Sequence, residues 1–180
     1  MTDNSTQPAA GAAAAGTKSW QLDSAHSSVS LSHKSMWKLV TVKGGFEKLS
    51  GSGEVLADGS AHGRIEIDAA SINTKNAKRD EHLRSADFFN VSEHPQLVVD
   101  IASITRQTDG SATTTGTLTA AGITKPFDLT ARITEDTGQA ITLAADTEFN
   151  RADFGMTWGK LGMISGNARV SVVARFVSPA

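Results

Sequence analysis

Short runs in which apolar and polar residues alternate recur along the chain after Lys18. In the run 127–134, Phe, Leu, Ala and Ile oppose Asp, Thr, Arg and Thr. Because successive side chains of a strand point to opposite faces, this pattern predicts strands that bury one face and expose the other. Further runs of this kind lie around residues 27–33, 65–69, 97–101, 141–146 and 169–176.

Turn-forming residues separate these runs and suggest how the strands connect. Gly59 and Gly110 each follow an aspartate and predict tight hairpins, and Gly138 predicts a third turn. The runs number roughly eight or more, with the spacing of an antiparallel barrel or sandwich. Closing the sheet into a barrel removes the exposed edges that an antiparallel sheet must otherwise protect. The alternation therefore predicts an all-β fold, and we favour the antiparallel barrel.

One segment, 76–89, departs from the alternation. It is rich in charged residues and helix formers, and it predicts a short surface helix between two strands. Leu83, Phe88 and Phe89 are its large apolar side chains, and we expect them to turn inward. Pro95 then marks the start of the next strand.

The size of the inward residues bears on whether the barrel is filled or hollow. A barrel of about eight strands has an interior that side chains just fill, or that holds one small ligand. Aromatic residues make up only 6% of the chain and tyrosine is absent, so few rings are available to fill it. The inward rows also contain small residues, namely Ser27, Ala69, Ala131, Ala145 and Ala174. Together these features favour a cavity.

Composition excludes several functions. The formal net charge is -2 with both signs interspersed, which argues against nucleic acid as a partner because phosphate binding needs clustered Lys and Arg. The chain has no cysteine, so disulfides, thiolate nucleophiles and Cys-ligated zinc are excluded. No apolar run approaches the ~20 residues that span a bilayer, and we expect no stable membrane insertion.

The N-terminal stretch 1–18 is rich in Ala, Gly, Ser and Thr, and we predict a flexible tail there, followed by a single domain, 19–178. A secretory signal needs a basic start and a strongly apolar middle. Here Asp3 precedes every lysine, and the tract 9–15 lacks Leu, Ile, Val and Phe. We therefore expect a cytoplasmic protein.

Two polar residues, His33 and Arg151, occupy positions of the inward rows. A buried arginine needs a partner, because an unpaired buried charge is energetically expensive. For Arg151 we favour a structural role, either an ion pair with Asp80 or Asp153 or a cap at the barrel rim, over fixing a ligand head group at a polar end of the cavity. For His33 the structural and the ligand-binding interpretations stay open.

Longer motifs carry a resemblance that covers nearly the whole chain, from Trp20 to about Phe176. The two most specific are Arg-Asp-Glu-His-Leu-Arg-Ser at 79–85 and Arg-Ala-Asp-Phe-Gly at 151–155. Weaker pieces occur in order at 20–23, 26–27, 42–46, 70–74, 94–95, 116–119 and 122–126. In these motifs the chain resembles the YceI-like family of lipocalin-like, polyisoprenoid-binding proteins.

The resemblance implies an elongated, eight-stranded, lipocalin-like barrel whose apolar pore holds a polyisoprenoid chain, such as an isoprenoid quinone or a prenyl-phenol. It implies no cofactor, no metal and no established reaction, and many relatives carry an export signal. The expected function is that of a carrier or storage protein for an apolar lipid, and homodimer formation is left open. The residues that we expect to contact the ligand are His33, Trp37, Leu83, Phe88, Phe89, Phe127, Phe149, Arg151, Phe154, Met156 and Trp158.

A segment rich in large, flexible apolar residues, 156–163, overlaps the end of this resemblance. Methionine adapts to irregular shapes, which suits a lipid passage. Together with Met36 and Trp37, the segment is interpreted either as a mouth or lid over the pore or as ordinary core packing at a barrel end.

The five histidines do not predict a metal site. His26 and His33 fall on opposite faces of a regular strand and do not converge. The chain lacks cysteine ligands and the His-Glu-x-x-His motif. A Gly-x-Ser-x-Gly nucleophile turn is absent as well, and the Gly-Ser-Gly at 51–53 is interpreted as a turn or a strand bulge.

The charged motif in the predicted helix has two interpretations. Asp80 and Arg84 are one helical turn apart and predict an ion pair, and we favour a structural network that anchors the helix over a catalytic site. The alternative function for the chain is an enzyme acting on a hydrophobic small molecule. In that case His33 or His82 serves as acid or base, and Arg151 holds an anion.

Overall fold

The structure of the protein is a computed structural model that describes residues 16–35, 40–157 and 167–179. Its strands are β1 (Lys18–Leu22), β2 (Ser28–Ser35), β3 (Val40–Phe46), β4 (Leu49–Val55), β5 (Ala61–Asp68), β6 (Ile72–Asn73), β7 (Gln96–Arg106), β8 (Ser111–Ala120), β9 (Ile123–Asp136), β10 (Ala140–Asn150) and β11 (Asn167–Val177). Helix α1 (Ala77–Arg84) and three 3-10 turns, at Ser24–His26, Ala69–Ser71 and Arg151–Phe154, complete the described elements.

The strands form one antiparallel sheet that closes on itself. Eight of them follow one another around a ring in the order β1, β4, β5, β7, β8, β9, β10 and β11. The ring closes where β1 pairs with β11, with Gln21 opposite Val177 and Leu22 opposite Phe176. This arrangement confirms the predicted eight-stranded antiparallel barrel with a short helix between strands.

Three further strands, β2, β3 and β6, extend the sheet beyond this ring. β2 pairs with β11 and β3, and β3 pairs with β6. The 3-10 turns Ser24–His26 and Ala69–Ser71 separate β2 from β1 and β6 from β5. The expectation that His26 and His33 share a regular strand is therefore wrong. A local contact accounts for the break, because the Asp23 carboxylate lies 2.8 Å from His26 Nδ1 and holds the turn.

The hairpin turns form as the glycine pattern predicts. Gly59, Gly110 and Gly138 have φ angles of 84°, 83° and 77°, in the left-handed region that favours glycine. In the first turn the Asp58 carboxylate accepts hydrogen bonds from the N–H and the hydroxyl of Ser60, at 2.9 and 2.6 Å. These three turns lie at one end of the barrel, which we call the hairpin end.

The opposite end, called the helix end, carries α1 between β6 and β7. Asn76 caps the helix by accepting a hydrogen bond from the Arg79 N–H at 3.0 Å. The helix ends at Arg84 and is shorter than predicted, because the next residue is extended and donates its N–H to the carbonyl of His82. Leu83 and the two phenylalanines that follow the helix pack against the core, as expected.

Hydrogen bonds anchor α1 to the barrel, as predicted, but through different partners. The buried Asp80 carboxylate accepts from the Thr74 N–H at 2.9 Å and from the Thr74 hydroxyl at 2.5 Å. Arg84 donates to the carbonyl oxygens of Ala70 and Ile72, at 2.8 and 2.9 Å. The predicted Asp80–Arg84 ion pair is wrong, because both side chains bind the segment that precedes the helix.

The pairing between β9 and β10 is confined to the hairpin end. Residues 132–136 of β9 pair with residues 141–144 of β10, with a register shift at Thr142 and Leu143. Toward the helix end β9 still pairs with β8 and β10 with β11, but no β9–β10 pair is recorded among these described residues. The barrel wall is therefore less continuous in its helix-end half.

The core lies inside the barrel and is built from the inward rows of the alternating runs. Ile65, Ile67, Leu97 and Val170 are among its buried side chains, so the predicted inward faces are confirmed. None of the described helices is both long and apolar enough to cross a membrane. Most of the predicted tail falls on residues outside the described ranges. The tail and the cytoplasmic location stay predictions.

Candidate functional site

The barrel encloses an apolar cavity of about 160 Å3, which we call the inner cavity. Inward-facing side chains from the strands around the ring line it. They are Val29, Leu31, Phe46, Ile65, Ile67, Leu97, Val99, Ile101, Thr114, Leu118, Phe127, Leu129, Ala131, Leu143, Ala145, Thr147, Phe149, Val170, Val172, Ala174 and Phe176. Five small inward residues favoured a cavity in the sequence. Three of them, Ala131, Ala145 and Ala174, line the inner cavity.

Thr114 and Thr147 are the polar side chains among the described residues that line the inner cavity. The Thr114 hydroxyl is buried and has no hydrogen-bond partner within the described part of the chain. The part of this lining that the structure describes contains no charged side chain. The inner cavity therefore offers dispersion and hydrophobic contacts to a guest and very little directional bonding.

Two aromatic pairs join the lining of the inner cavity to the helix end. The Phe46 ring, which lines the cavity, meets the Phe89 ring edge to face at 5.6 Å between centroids. Phe149, also in the lining, meets the buried Phe154 in the same way at 6.3 Å. These edge-to-face pairs fix the loop after α1 and the turn after β10 onto the barrel.

Two of the predicted ligand contacts line the inner cavity, and several others belong to the hydrophobic core or pack against it. Phe127 and Phe149 line the inner cavity, and their contact with a ligand stays a prediction. Met156 and Phe154 are buried in the core cluster, and Leu83 packs against that cluster, but these three do not line the cavity. They are part of the hydrophobic core that surrounds the cavity-lining residues.

Arg151 begins the 3-10 turn after β10 and is half-buried. Its guanidinium lies over the Phe88 ring, 5.8 Å from the centroid, and burial lowers the pKa of the guanidinium below its ordinary value. The predicted ion pair with Asp80 or Asp153 is wrong, because the Asp80 carboxylate is occupied by Thr74. Within the described ranges Arg151 forms no ion pair, and it does not line the inner cavity.

The two histidines considered as acid or base lie outside the lining of the inner cavity. His33 Nδ1 is 3.1 Å from the carbonyl oxygen of Asn167; since a carbonyl only accepts, Nδ1 donates. His33 Nε2 is buried without a partner among the described residues. His82 Nε2 lies 3.0 Å from an Asp87 carboxylate oxygen, near the surface. Each of these contacts joins the imidazole to another part of the protein.

Trp37, Trp158 and most of the segment 156–163 lie outside the described residues. The mouth or lid that they were predicted to form therefore stays a prediction. Among the described residues, no group of three or more His, Cys, Asp or Glu side chains is arranged to hold a metal ion.

A second and larger space, about 530 Å3, adjoins the inner cavity toward the hairpin end; we call it the hairpin-end chamber. Ile101, Leu143 and Phe176 line both spaces, so the two spaces meet at these residues. Trp20 and Gly63 line the chamber but not the inner cavity. The two spaces together fall within the range of about 300–1,000 Å3 found for sites that hold small molecules.

Sequence reasoning missed the chamber. The Gly-Ser-Gly at 51–53, interpreted as a turn or a bulge, lies inside β4 and pairs in regular register with β5, where Gly53 stands opposite Gly63. Paired inward glycines on adjacent strands were the available signal, because such positions leave bare backbone facing the interior. The two glycines can be recognised as a pair only when the register between β4 and β5 is known. No local sequence pattern gives that register.

The fold and its interior define a class of protein: closed antiparallel β-barrels with an apolar internal cavity. The profile of the YceI-like domain matches residues 20–176. The chain belongs to the YceI-like family.

Relatives and solved structures agree with this assignment. A UPF0312 protein of Ectopseudomonas mendocina is 41% identical over 68 residues, 38% of this chain and 36% of that protein, so the match spans about a third of its length. The crystal structure of BcnA from Burkholderia cenocepacia has a TM-score of 0.76 at 20% identity and covers 86% of this chain and 98% of that one. A polyisoprenoid binding domain from Saccharophagus degradans has a TM-score of 0.73 at 18% identity, covering 89% and 98%. These two structures show the shared fold.

Proposed function

We propose that the protein is a carrier or storage protein that holds a long, apolar, isoprenoid-type lipid in the interior of its barrel. The observation that carries this proposal is the inner cavity, whose described lining consists of aliphatic and aromatic side chains and two threonines. Binding of this kind follows from burial alone, at about 25 cal/mol for each Å2 of apolar surface removed from water. A long hydrocarbon chain therefore binds without a charged anchor.

The isoprenoid class is supported by the family. The matching domain from Saccharophagus degradans is described as polyisoprenoid-binding, and we extend that ligand class to this chain. The branched, kinked outline of an isoprenoid chain also suits a wall that alternates bulky residues such as Leu129 with small ones such as Ala131 and Ala145.

The enzyme alternative is less well supported by the geometry. His33 and His82 are both engaged with neighbouring groups, and neither lines the inner cavity or the hairpin-end chamber. A general acid or base must come within hydrogen-bond reach of the proton that it transfers. We therefore propose that the bound lipid is held unchanged.

A matched pair of substitutions on β10 tests the proposal. Ala145 lines the inner cavity, whereas Ala144 points to the outer face and stands opposite the exposed Arg132 and Val173. Ala145→Leu places three added carbon atoms where the lipid lies, at about 0.8 kcal/mol per displaced methylene. We expect about a thirtyfold loss of affinity for an isoprenoid quinone, measured by titration, from a loss of about 2 kcal/mol.

Ala144→Leu is the control and should leave the affinity unchanged within about twofold, because the added carbons point to solvent. Equal affinities for wild type, Ala145→Leu and Ala144→Leu would show that the lipid is bound elsewhere than in the inner cavity. Failure of the wild type to bind any isoprenoid would contradict the proposed function altogether.

A further inference from the structure

The wall of the barrel changes along its length where β9 meets β10. Near the hairpin end the two strands pair, as far as Ala144 opposite Arg132. Beyond that point, among the described residues, 123–131 of β9 pair with β8 alone, and 145–150 of β10 pair with β11 alone. The facing edges of β9 and β10 therefore lack ladder hydrogen bonds to each other. We call this part of the wall the β9–β10 gap.

The lining of the inner cavity is less shielded at this gap than on the opposite side of the ring. Phe127 on β9 and Phe149 on β10 line the cavity beside the gap, and both are half-buried. Ile65 and Ile67 line the same cavity from β5, which lies on the opposite side of the ring, and both are buried. The interior is therefore closest to being open between β9 and β10.

The 3-10 turn Arg151–Phe154 and the glycine that follows it span the helix end of this gap; we call these five residues the covering turn. The turn continues from β10, and its buried Phe154 meets Phe149 of that strand edge to face. It reaches β9 at Ile123, because a Cβ atom built on Gly155 would lie 3.3 Å from Ile123 Cδ1. The covering turn therefore contacts both edges of the gap.

Side-chain packing, rather than a hydrogen-bond ladder, holds the covering turn against β9. The Gly155 N–H donates to the Ala152 carbonyl at 3.1 Å, and the Met156 N–H donates to the carbonyl of Arg151 at the same distance. The Asn150 side chain accepts from the Ala152 N–H at 3.0 Å. No hydrogen bond from the covering turn to β9 is recorded within the described part of the chain. The turn can therefore leave β9 as a unit with its own hydrogen bonds intact.

We propose that the lipid enters and leaves the barrel sideways through the β9–β10 gap, and that the covering turn gates this route by moving off Ile123. The inference rests on the proposed function and adds to it a route and a gate. A lateral route suits a long guest, because two unpaired edges part without breaking a ladder, whereas a chain that enters through an end must be threaded along its whole length. The hairpin end is in addition bordered by hydrogen-bonded turns and by the contact of 2.6 Å between Arg106 and Asp136.

A gate has a kinetic signature that distinguishes it from the wall of a binding site. Weakening a gate lowers the barrier to uptake and to release by the same amount, so both rates rise while the affinity stays the same. A residue that contacts the lipid changes the affinity instead. The measurement is therefore the rate of uptake of an isoprenoid quinone from phosphatidylcholine vesicles, the rate of its release to empty vesicles, and the affinity at equilibrium.

Ile123→Ala removes the contact of the covering turn with β9. Ile123 is exposed and lines neither space, so the variant keeps its fold and its cavity. Uptake and release should both become about threefold faster, with the affinity within about twofold of wild type. Val173→Ala is the matched control and should change neither rate, because both side chains are 37% exposed and Val173 lies on β11, which does not border the gap.

A covalent bridge tests the gate in the opposite direction. The chain has no cysteine, so Ile123→Cys and Gly155→Cys can be combined and joined by a short bifunctional thiol reagent. Bridging should slow uptake and release at least about tenfold relative to the same protein before bridging. The strain of a side chain at the Gly155 φ of 73° is common to both states. The control bridge joins Thr113→Cys to Thr130→Cys, directly opposite on the paired strands β8 and β9, and should leave both rates within about twofold.

Three results would overturn the inference alone, with the proposed function intact. Unchanged rates in the protein bridged between 123 and 155 would place the route at an end of the barrel. Equal slowing by the control bridge would show that exchange needs the whole barrel to loosen. A changed affinity with unchanged rates of uptake in Ile123→Ala would make the covering turn part of the binding wall. Absence of isoprenoid binding to the wild type would overturn the proposed function and this inference with it.

Discussion

The helix end and the hairpin end of the barrel are built from the same strands, yet they enclose different spaces. On β5, Ile65 and Ile67 face the inner cavity, and on the same strand Gly63 faces the larger hairpin-end chamber. Aromatic pairs join the first space to the helix end, and a pair of opposite charges borders the second. Alternation decides which side chains point inward, and their size, row by row, decides how much room is left.

The largest expected effect concerns how the helix end is held. Asp80→Ala leaves the Thr74 N–H and hydroxyl buried without their acceptor. We expect a loss of about 2–4 kcal/mol in the free energy of unfolding, since each buried group left unpaired costs about 1–3 kcal/mol. Denaturant titration measures this loss.

Asp153→Ala provides the comparison for that measurement, because Asp153 is exposed and belongs to the turn Arg151–Phe154. It should cost less than about 1 kcal/mol. Equal losses for Asp80→Ala and Asp153→Ala would mean that the Asp80 anchor does not hold the helix end.

The same alanine-to-leucine change should have opposite consequences in packed and hollow regions. Ala112, on β8, is fully buried and lines neither space, so Ala112→Leu overpacks the interior and should cost about 1–3 kcal/mol of stability. Ala61 borders the chamber, so Ala61→Leu should change stability by less than about 1 kcal/mol. Thermal unfolding of both variants at one pH measures the two changes in stability. A large loss of stability for Ala61→Leu would show that the chamber is filled in solution.

Thr114→Val tests the lining of the inner cavity. The change keeps the shape of the side chain and removes a buried hydroxyl that has no partner in the described structure. We expect a gain of about 1 kcal/mol in stability, together with slightly tighter binding of an apolar chain. A loss of stability would reveal that the hydroxyl is hydrogen-bonded in solution.

The smallest expected effect is at the seam where β1 meets β11. Arg175 lies 2.9 Å from the Glu135 carboxylate and 2.8 Å from that of Asp23, so it ties β9, β11 and the end of β1 together. The hydrogen bonds that Arg175 and then Thr142 donate hold the pKa of Glu135 below its ordinary value. A carboxylate with a lowered folded-state pKa adds stability above its ordinary pKa, and this stability is lost as pH falls through the folded-state value.

Arg175→Met should therefore lower the melting temperature at neutral pH, and the difference from wild type should shrink as pH falls below the ordinary pKa of a glutamate. Arg169→Met is the matched control on β11, because Arg169 is exposed and only approaches Glu148, at 3.5 Å. If the difference in melting temperature between wild type and Arg175→Met stays constant from neutral to acid pH, the ion pair does not stabilise the seam.

Much of the fold could be predicted because alternation is a local signal. It places Phe127 and Leu129 on one face and Asp128 on the other, and the structure puts the first two in the lining of the inner cavity. The turn glycines are local as well, since the left-handed conformation of Gly59 and Gly110 is set within each hairpin. Closure of the ring was inferred from the need to protect strand edges, and pairing of β1 with β11 confirms it.

The anchoring of α1 and the shape of the interior could not be predicted, because they depend on contacts between distant parts of the chain. The partners of Asp80 and Arg84 are set by how the segment 70–74 passes beneath α1, and helical spacing gives no information on that passage. The cavity was expected to contact large aromatic residues of the helix end, but most of its wall is aliphatic and comes from the inward rows of many strands. The chamber depends on the register that brings Gly53 opposite Gly63.

The central claim is that the interior was left open for a lipid. Mass spectrometry of organic extracts from protein purified under native conditions tests it most directly, with Ala145→Leu extracted in parallel. We expect one class of isoprenoid-type lipid that is abundant in the wild-type extract and depleted in the variant. An empty wild-type protein that also takes up no isoprenoid quinone when one is supplied would contradict the account.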